Sequence, residues 1–242
     1  MTRFDEKDYW RGRHDDHQGQ YKAVGIDNIP ERANQLAYRQ LVQQYERLLD
    51  RLNLPAGTPA LDAGAGIGAF THLLYNRGFD LTALDISQTA LDGIDLPIKK
   101  ICSPIADAEL PERAFQYVHS FDVLYHIMDD AEWAASLAAL ARSSSRYVVL
   151  HERFTWLPQW APSKIMKMRS RGRTASVLRA EGFREFATVP SYFVTKHLLT
   201  YRLSALAPQP FYRVDDWVLN RGSGSRVIQG LASHRIKAFE RS

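Results

Sequence analysis

Residues 59–71, PALDAGAGIGAFT, constrain this chain more than any other stretch of it. A short apolar run ends in an acid, three glycines follow at alternate positions, and an apolar pattern of helical spacing begins directly behind them. Alternating glycines allow a tight turn and let a ligand lie against the main chain. A helix that begins behind such a turn directs backbone N–H groups at a polar ligand. The stretch therefore predicts a first parallel strand, a ligand-binding loop at its carboxyl end and a crossover helix.

Two classes of nucleotide-type cofactor use a turn of this kind. Residues 64–69 satisfy the dinucleotide pattern G-x-G-x-x-G/A, with Ala69 in the third place. Residues 62–68 also read D-x-G-x-G-x-G, which resembles motif I of the class I S-adenosylmethionine-dependent methyltransferases. Asp62 stands where a dinucleotide strand usually carries an apolar residue, and a carboxylate there can bind around the ammonium group of S-adenosylmethionine. Asp85 ends the next apolar run and offers a carboxylate to ribose hydroxyls with either cofactor.

The methyltransferase resemblance implies which residues hold the cofactor. Residues 106–111, ADAELP, resemble the turn that follows the third strand in this family. Asp107 would there meet the adenine amino group, and Ala108 would line the adenine slot. The complete expected set for S-adenosylmethionine is Trp10, Asp62, Gly64, Ala65, Gly66, Gly68, Asp85, Ile86, Asp107, Ala108 and Ser120.

The expected reaction calls for a group that removes one proton. Methyl transfer is a displacement at a sulfonium carbon, so the protein aligns the two reactants and takes the proton of the acceptor. Histidine suits an alcohol or phenol acceptor near neutral pH. His126, after the fourth predicted strand, is the first candidate, and His151, at the end of the fifth, is the second. Asp122 would orient an imidazole or the acceptor, whereas a half-buried structural histidine is the alternative reading of His126. The acids at 129–132 are typical of a helix start, so no metal is expected.

The order of apolar runs and helical patterns predicts the fold. Residues 58–151 alternate the two, which is typical of a parallel sheet with crossover helices. A helix at 174–181, a strand at 183–195 and a last strand at 225–233 resemble the antiparallel hairpin that closes the class I sheet. We therefore expect an α/β fold: a seven-stranded, mostly parallel, doubly wound sheet with an antiparallel C-terminal hairpin and an N-terminal helical lid. The expected domains are a lid segment and helix at 1–54 and the methyltransferase domain at 55–242, with a variable substrate-facing insert at about 152–222.

The composition and the charge limit which partners and which location we expect for this protein. One cysteine excludes an internal disulfide, no apolar run is long enough to span a membrane, and the charged first residues do not form a signal peptide, so a cytoplasmic protein is expected. The net charge of +4 is unevenly placed, because residues 151–242 carry 16 Lys and Arg against 6 Asp and Glu. Five Lys and Arg residues at 164–173 could attract an anion or could form a solvated face. We call Lys164, Lys167, Arg169, Arg171 and Arg173 the basic cluster.

The expected function is transfer of a methyl group from S-adenosylmethionine to a small-molecule acceptor, on oxygen rather than nitrogen, with S-adenosylhomocysteine as the product. The basic cluster predicts an anionic acceptor. Phe154, Trp156 and Trp160, in a predicted loop at 154–162, would form an aromatic wall for it or a core for the C-terminal part. One alternative is an RNA methyltransferase that uses the basic cluster as a phosphate track. The others are an NAD(P)-dependent oxidoreductase and a non-catalytic relative that binds the cofactor and serves as an assembly partner. A nucleic-acid substrate is disfavoured, because no Asn-Pro-Pro-Tyr type sequence follows the fourth strand; the chain is expected as a monomer or homodimer.

Overall fold

The computed structural model describes residues 4–26, 28–155, 157–192, 207–222 and 234–242. The strands are β1 (Pro59–Ala63), β2 (Asp80–Asp85), β3 (Lys99–Cys102), β4 (Phe115–Phe121), β5 (Ser144–Glu152), β6 (Gln159–Ser163), β7 (Met166–Arg169), β8 (Phe183–Tyr192) and β9 (His234–Arg241). The helices are α1 (Glu6–Asp16), α2 (Glu31–Leu52), α3 (Ala69–Asn76), α4 (Gln88–Asp92), α5 (Asp130–Ser143), α6 (Arg171–Ala180) and α7 (Pro208–Gly222). Short 3₁₀ turns cover Tyr21–Ala23, Ile105–Asp107 and Leu124–His126.

Seven of the described strands form one sheet in the order β3-β2-β1-β4-β5-β9-β8. The five strands from β3 to β5 are parallel, and β9 pairs antiparallel with both β5 and β8. The order reverses at β1, so the carboxyl ends of β1 and β4 border the crevice in which open α/β sheets bind ligands. The expected α/β sheet with its antiparallel closing hairpin is confirmed.

Helices cover both faces of the sheet. On one face, α2 packs its apolar stripe against α3 and the strands, and the stripe recurs at helical spacing through Leu41, Tyr45, Leu48 and Leu49. On the other face, α5 and α6 pack against β4, β5 and β9. The central strands are buried along almost their whole length because both of their faces are covered. Among the described residues, no helix has the length and apolarity needed to cross a bilayer.

Two parts of the chain differ from the sequence-based expectation. Residues 154–162 were expected to form a loop, but Gln159–Ser163 pairs antiparallel with Met166–Arg169 to form a separate two-stranded hairpin. Its first strand is exposed at every position, so it carries no apolar alternation that could have announced it. The closing strand lies at His234–Arg241, after the predicted strand at 225–233. The predicted strand and Trp156 are both outside the described residues.

Candidate functional site

A cleft of about 1010 Å³, counting the space open to solvent, lies at the carboxyl ends of the central strands. The glycine loop after β1, the end of β2, the turn after β3 and the turn after β4 form its walls, and α1 covers one side. Eight of the residues proposed from the sequence line it: Trp10, Gly64, Ala65, Gly66, Asp85, Ile86, Asp122 and His126. The largely apolar walls with a few polar groups are typical of a small-molecule site.

The glycine loop is held close to the neighbouring strand, which leaves its other side to the cleft. The backbone N–H of Gly64 donates to the Leu84 carbonyl at 2.7 Å. Gly64 and Gly66 have φ values of +85° and +53°, in the left-handed region that favours glycine. A Cβ at Gly64 would lie 2.1 Å from Val123 Cγ2, and one at Gly66 would lie 2.6 Å from Val24 Cγ1. Larger residues would therefore fill the space between the loop and the cleft walls.

Asp85 lies at the end of β2 with both carboxylate oxygens bonded to the main chain. One oxygen accepts from the N–H of Gly66 at 2.8 Å and the other from the N–H of Ser87 at 2.9 Å. Burial raises the pKa of Asp85, and these two hydrogen bonds oppose the shift. His14 of α1 lies near this carboxylate in the cleft wall; burial lowers the pKa of His14, while Asp85 partly offsets the effect.

Helix α1 brings several side chains onto the cleft. The Trp10 ring lies 4.3 Å from the His126 ring, centroid to centroid, and Arg11 donates to the Ile86 carbonyl at 3.4 Å. Lys7 bridges to Glu132 of α5 at 2.7 Å, and this hydrogen bond raises the pKa of Lys7. Trp10 was expected here from the sequence and His14 was not, although the two are four residues apart and so share one face of a helix.

His126 has a defined tautomer at the cleft wall. Its Nδ1 faces the carbonyl oxygen of Ile165, in the turn of the β6–β7 hairpin. Because a carbonyl only accepts, Nδ1 carries the proton, and Nε2 of the neutral ring has the lone pair. Burial lowers the pKa of His126 to about 4, although the hydrogen bond to Ile165 works against that shift. The ring is therefore neutral at physiological pH, with a lone pair on Nε2, and the lowered pKa makes it a weaker base than an exposed histidine.

His151 lies outside the residues that line the cleft, behind Asp122. Its Nδ1 is 3.0 Å from Asp122 Oδ1, and its Nε2 is 2.8 Å from the Ser191 hydroxyl. The ring is fully buried, whereas the Asp122 side chain is 13% exposed and reaches the cleft. Of the two imidazoles that Asp122 was expected to orient, the structure brings it to His151.

Asp62 also lies beneath the cleft rather than in its lining. Its Oδ2 accepts from the Thr71 hydroxyl at 2.6 Å, and its Oδ1 is 3.0 Å from His119 Nε2. Nδ1 of His119 is 2.9 Å from the Tyr45 hydroxyl, which is 2.7 Å from the hydroxyl of Tyr117. All of these groups are buried. The Asp62 carboxylate therefore contacts α3 and β4 directly and is linked to α2 through His119.

Four further residues that were expected to bind the cofactor are not among the described residues that line the cleft. Gly68 is the residue before α3, at φ +77°, and Ser120 is fully buried inside β4. Asp107 is exposed in the 3₁₀ turn after β3, and Ala108 packs against the core beneath α5. On this stretch, Ser103, Pro104 and Ile105 line the cleft instead. The roles assigned to these four residues stay predictions.

The basic cluster is largely occupied by one acid. Lys167, Arg169 and Arg173 all contact the Asp130 carboxylate, at 2.9, 2.9 and 3.2 Å. Burial works against the charged acid, but hydrogen bonds from these three cations lower the pKa of Asp130 to about 2. Arg169 is buried and also donates to the carbonyl of Ile127 at 2.7 Å, so it holds the turn after β4. None of these side chains lines the cleft.

Glu152, which the sequence analysis did not assign to this role, holds the same turn from the other side. Its carboxylate oxygens accept from the backbone N–H groups of Leu124 and Tyr125, both at 3.0 Å. Burial, with a further contribution from Asp122, raises the pKa of Glu152 to about 8. The available signal was an acid at the end of an apolar strand. Glu152 and Arg169 together fix the segment that carries His126.

Comparisons with known proteins agree with this geometry. A family model described as a methyltransferase domain matches residues 33–208. Among curated proteins, the S-adenosyl-L-methionine-dependent Diels-Alderase iliD of Neonectria sp. (strain DH2) is 30% identical over 98 residues. That alignment covers 40% of this chain and only 39% of the relative.

Solved structures share the fold at low identity. Magnesium protoporphyrin IX methyltransferase from Synechocystis PCC 6803, solved with bound SAM, matches with a TM-score of 0.67 and 17% identity over 100% of both chains. A 1,6-didemethyltoxoflavin-N1-methyltransferase from Burkholderia thailandensis, solved with 1,6-didemethyltoxoflavin and S-adenosylhomocysteine, matches with a TM-score of 0.57 and 14% identity. That match covers 100% of this chain and 92% of the other. At such identities the likeness concerns the fold alone.

Proposed function

Because this chain belongs to the methyltransferase-domain family, we propose that it binds S-adenosylmethionine in the cleft and methylates an oxygen atom of a small-molecule acceptor. The cofactor supplies a methyl group on a sulfonium; transfer forms the O–CH₃ bond, breaks the S–CH₃ bond with its electron pair going to sulfur, and releases the hydroxyl proton. The observation that carries the proposal is the neutral His126 ring, whose Nδ1 proton is committed to the Ile165 carbonyl, in the same cleft as the glycine loop.

The residues in the cleft fit this cofactor. The loop at Gly64, Ala65 and Gly66 has the tight left-handed backbone that lets a ligand lie against the main chain, and side chains there would fill the space. Asp85 at the end of β2 offers a buried carboxylate to ribose hydroxyls. Trp10, from the α1 helix, provides an aromatic face. We assign α1 the role of a lid, because its contacts with Glu132 and Ile86 cross the cleft mouth.

Proton removal falls to His126 in this proposal. Its Nε2 lone pair accepts the hydroxyl proton while the Ile165 carbonyl stabilises the Nδ1–H of the resulting imidazolium. The Trp10 ring, 4.3 Å from the imidazole, limits the access of water. Asp122 contributes a carboxylate that favours positive charge in the same wall.

The acceptor in this proposal is a small anion. Of the basic cluster, Lys167, Arg169 and Arg173 are paired with Asp130, and of the two other members, Lys164 and Arg171, we assign attraction of an anion to Lys164. Lys164 is exposed and precedes Ile165, whose carbonyl faces His126. A monomer or homodimer in the cytoplasm stays a prediction from the sequence. The pairing of the cluster with Asp130 also weakens the alternative of a phosphate track for RNA.

A second candidate function is cyclisation without methyl transfer. The Diels-Alderase relative supports it, because that protein is named as S-adenosyl-L-methionine-dependent and is 30% identical over the aligned 98 residues. In that case the cleft would hold an apolar polyene and the product would have the mass of its precursor. Mass spectrometry separates the candidates, since methylation adds one methyl group and releases S-adenosylhomocysteine.

Calorimetric titration with S-adenosylhomocysteine, beside NADH, tests the cofactor. We expect saturable binding of S-adenosylhomocysteine alone in the unmodified protein. Gly64→Ala should abolish it, because the new Cβ would collide with Val123 at 2.1 Å. Gly57→Ala is the matched control: Gly57 also has a positive φ, +79°, but nothing lies within 4 Å of its Cβ position. Preference for NADH, or equal binding by both variants, would refute the assignment of the loop.

A methylation screen against hydroxylated carboxylic acids then tests the base. His126→Asn keeps an N–H for Ile165 but lacks the Nε2 lone pair, so we expect it to bind S-adenosylhomocysteine normally and to lose about 100-fold or more in methyl transfer. His72→Asn is the matched control, because Nδ1 of His72 also faces a backbone carbonyl, that of Gly68 at 2.7 Å, away from the cleft lining. Equal rates for the two variants would remove His126 from the mechanism.

A further inference from the structure

Ser191 ends a buried array that begins at the cleft wall. The array runs from Asp122 through His151 to the Ser191 hydroxyl, with contacts of 3.0 and 2.8 Å. Ser191 and His151 are fully buried. The backbone of Ser191 is fixed from α2, because Gln40 Nε2 donates to its carbonyl at 3.1 Å. The hydroxyl is therefore held at one position relative to the imidazole.

The Asp122 carboxylate decides which nitrogen of His151 carries the proton. Its Oδ1 lies 3.0 Å from Nδ1, in a contact that is not aligned as a hydrogen bond, and the negative charge of an ionised Asp122 favours a proton on that nitrogen. In the neutral ring Nε2 then accepts, and the Ser191 hydroxyl is the donor. Without that hydroxyl, the buried Nε2 would lose its donor, and the tautomer with its proton on Nδ1, next to Asp122, would lose its advantage.

Asp122 itself has a backbone that needs support. Its φ of +58° lies in the left-handed region, which strains a residue other than glycine. Its N–H donates to the carbonyl of His151 at 2.8 Å, so His151 holds both the main chain and the side chain of Asp122. Strain at a residue that lines a ligand cleft indicates that the position of its side chain has a function.

We propose that Ser191 is a positioning residue that acts through His151 to aim the Asp122 carboxylate at the part of the cleft where a sulfonium binds. The proposal rests on the proposed function. Asp122 is adjacent to Val123, which packs against Gly64, and it lines the cleft together with His126. A carboxylate between the glycine loop and the base attracts the cationic S-adenosylmethionine more than the neutral S-adenosylhomocysteine, because the two differ in one charge. Ser191 therefore sets how strongly the protein discriminates the methyl donor from its product.

Calorimetry with both nucleosides tests this without any acceptor. In Ser191→Ala we expect the affinity for S-adenosylmethionine to fall about fivefold relative to that for S-adenosylhomocysteine, the effect of losing one hydrogen bond. The affinity for S-adenosylhomocysteine should stay nearly constant. Ser136→Ala is the matched control, because Ser136 of α5 is an equally buried serine away from the array. An unchanged ratio in Ser191→Ala, or an equal change in Ser136→Ala, would overturn the proposal.

Histidine NMR provides a second readout that does not depend on the affinity. With ¹⁵N-labelled histidine, the His151 signals, assigned by their loss in His151→Gln, should report the Nδ1–H tautomer in the unmodified protein and a mixture in Ser191→Ala. The same tautomer in both proteins would contradict the role of Ser191. If the unmodified protein binds neither nucleoside, the proposed function itself fails, and an Nδ1–H signal that changes in Ser191→Ala would then show that the array exists without that function.

Discussion

Two aspartate–histidine pairs of equal length lie on the same group of strands but serve different parts of the molecule. Asp62 of β1 lies 3.0 Å from His119 of β4, and Asp122, directly after β4, lies 3.0 Å from His151 of β5. Both rings are fully buried. The carboxylates differ: the Asp62 side chain is 3% exposed and the Asp122 side chain 13%, and only Asp122 lines the cleft.

The position along the strand explains the difference. His119 is inside β4 and points to the face that α2 covers, where the Tyr45 and Tyr117 hydroxyls continue its hydrogen bonds. Asp122 follows the last residue of β4, at the edge where parallel strands end and ligands bind. The inner pair therefore joins secondary structures, whereas the outer pair presents a carboxylate to the cleft. Breaking the inner pair should cost stability, and breaking the outer pair should cost function.

The largest expected effect is on stability, from His119→Ala. The substitution leaves the buried Asp62 carboxylate without its histidine and removes one of the two hydrogen-bond partners of the Tyr45 hydroxyl, so we expect a loss of about 3–5 kcal/mol in the free energy of unfolding. Urea denaturation followed by circular dichroism measures it. A loss below about 1 kcal/mol would mean that the inner network does not hold the fold.

The opposite pattern is expected for Asp122→Asn. Asparagine tolerates the left-handed backbone and can keep the 3.0 Å contact with His151, so the free energy of unfolding should change by less than about 1 kcal/mol. Methyl transfer to an acceptor found by the screen should fall about 100-fold, because the carboxylate charge is lost. A variant as unstable as His119→Ala with unchanged turnover would reverse the comparison.

A third histidine, His126, faces a carbonyl rather than a carboxylate and sharpens the comparison through pH. Burial lowers its pKa from 6.5 in the unfolded chain to about 4 in the folded one. The unfolded state therefore binds more protons between these values, and the contribution of the neutral ring, full above pH 6.5, is lost as the pH falls toward 4. The free energy of unfolding of the unmodified protein minus that of His126→Asn should decrease over this window. A flat difference would contradict the lowered pKa.

The smallest effect is expected at the surface. Lys7 and Glu132 lie closer together than the buried pairs, at 2.7 Å against 3.0 Å, but their side chains are 32% and 23% exposed. Water and salt screen such a pair, so Lys7→Ala should lower the free energy of unfolding by less than about 1 kcal/mol. If α1 is a lid, the dissociation of S-adenosylhomocysteine should become faster in this variant, as stopped-flow fluorescence would detect. A loss as large as that from His119→Ala would mean that distance rather than burial decides the strength of these pairs.

The central sheet could be predicted because its signals are local. Four of the strands from β1 to β5 contain a short apolar run, β3 (Lys99–Cys102) being the exception, and the glycine loop with Asp85 indicates the ligand edge. The β6–β7 hairpin could not be predicted, because its exposed strand Gln159–Ser163 has no apolar alternation. That hairpin supplies the Ile165 carbonyl that fixes the tautomer of His126, so a decisive contact of the site was beyond the reach of local patterns.

The sequence by itself determined the α/β sheet, the glycine loop and the set of polar residues that follow the strands, because strand and helix periodicity and left-handed turns are encoded within a few neighbouring residues. Only the tertiary structure decided which of those residues share an environment. It directed Asp62 to Thr71 and His119 beneath the cleft, and it brought Asp122 to His151 and Ser191. Ser191 is 40 residues from His151 along the chain, and the closing hairpin joins them. The orientation of a buried side chain depends on such distant partners, and no local pattern records them.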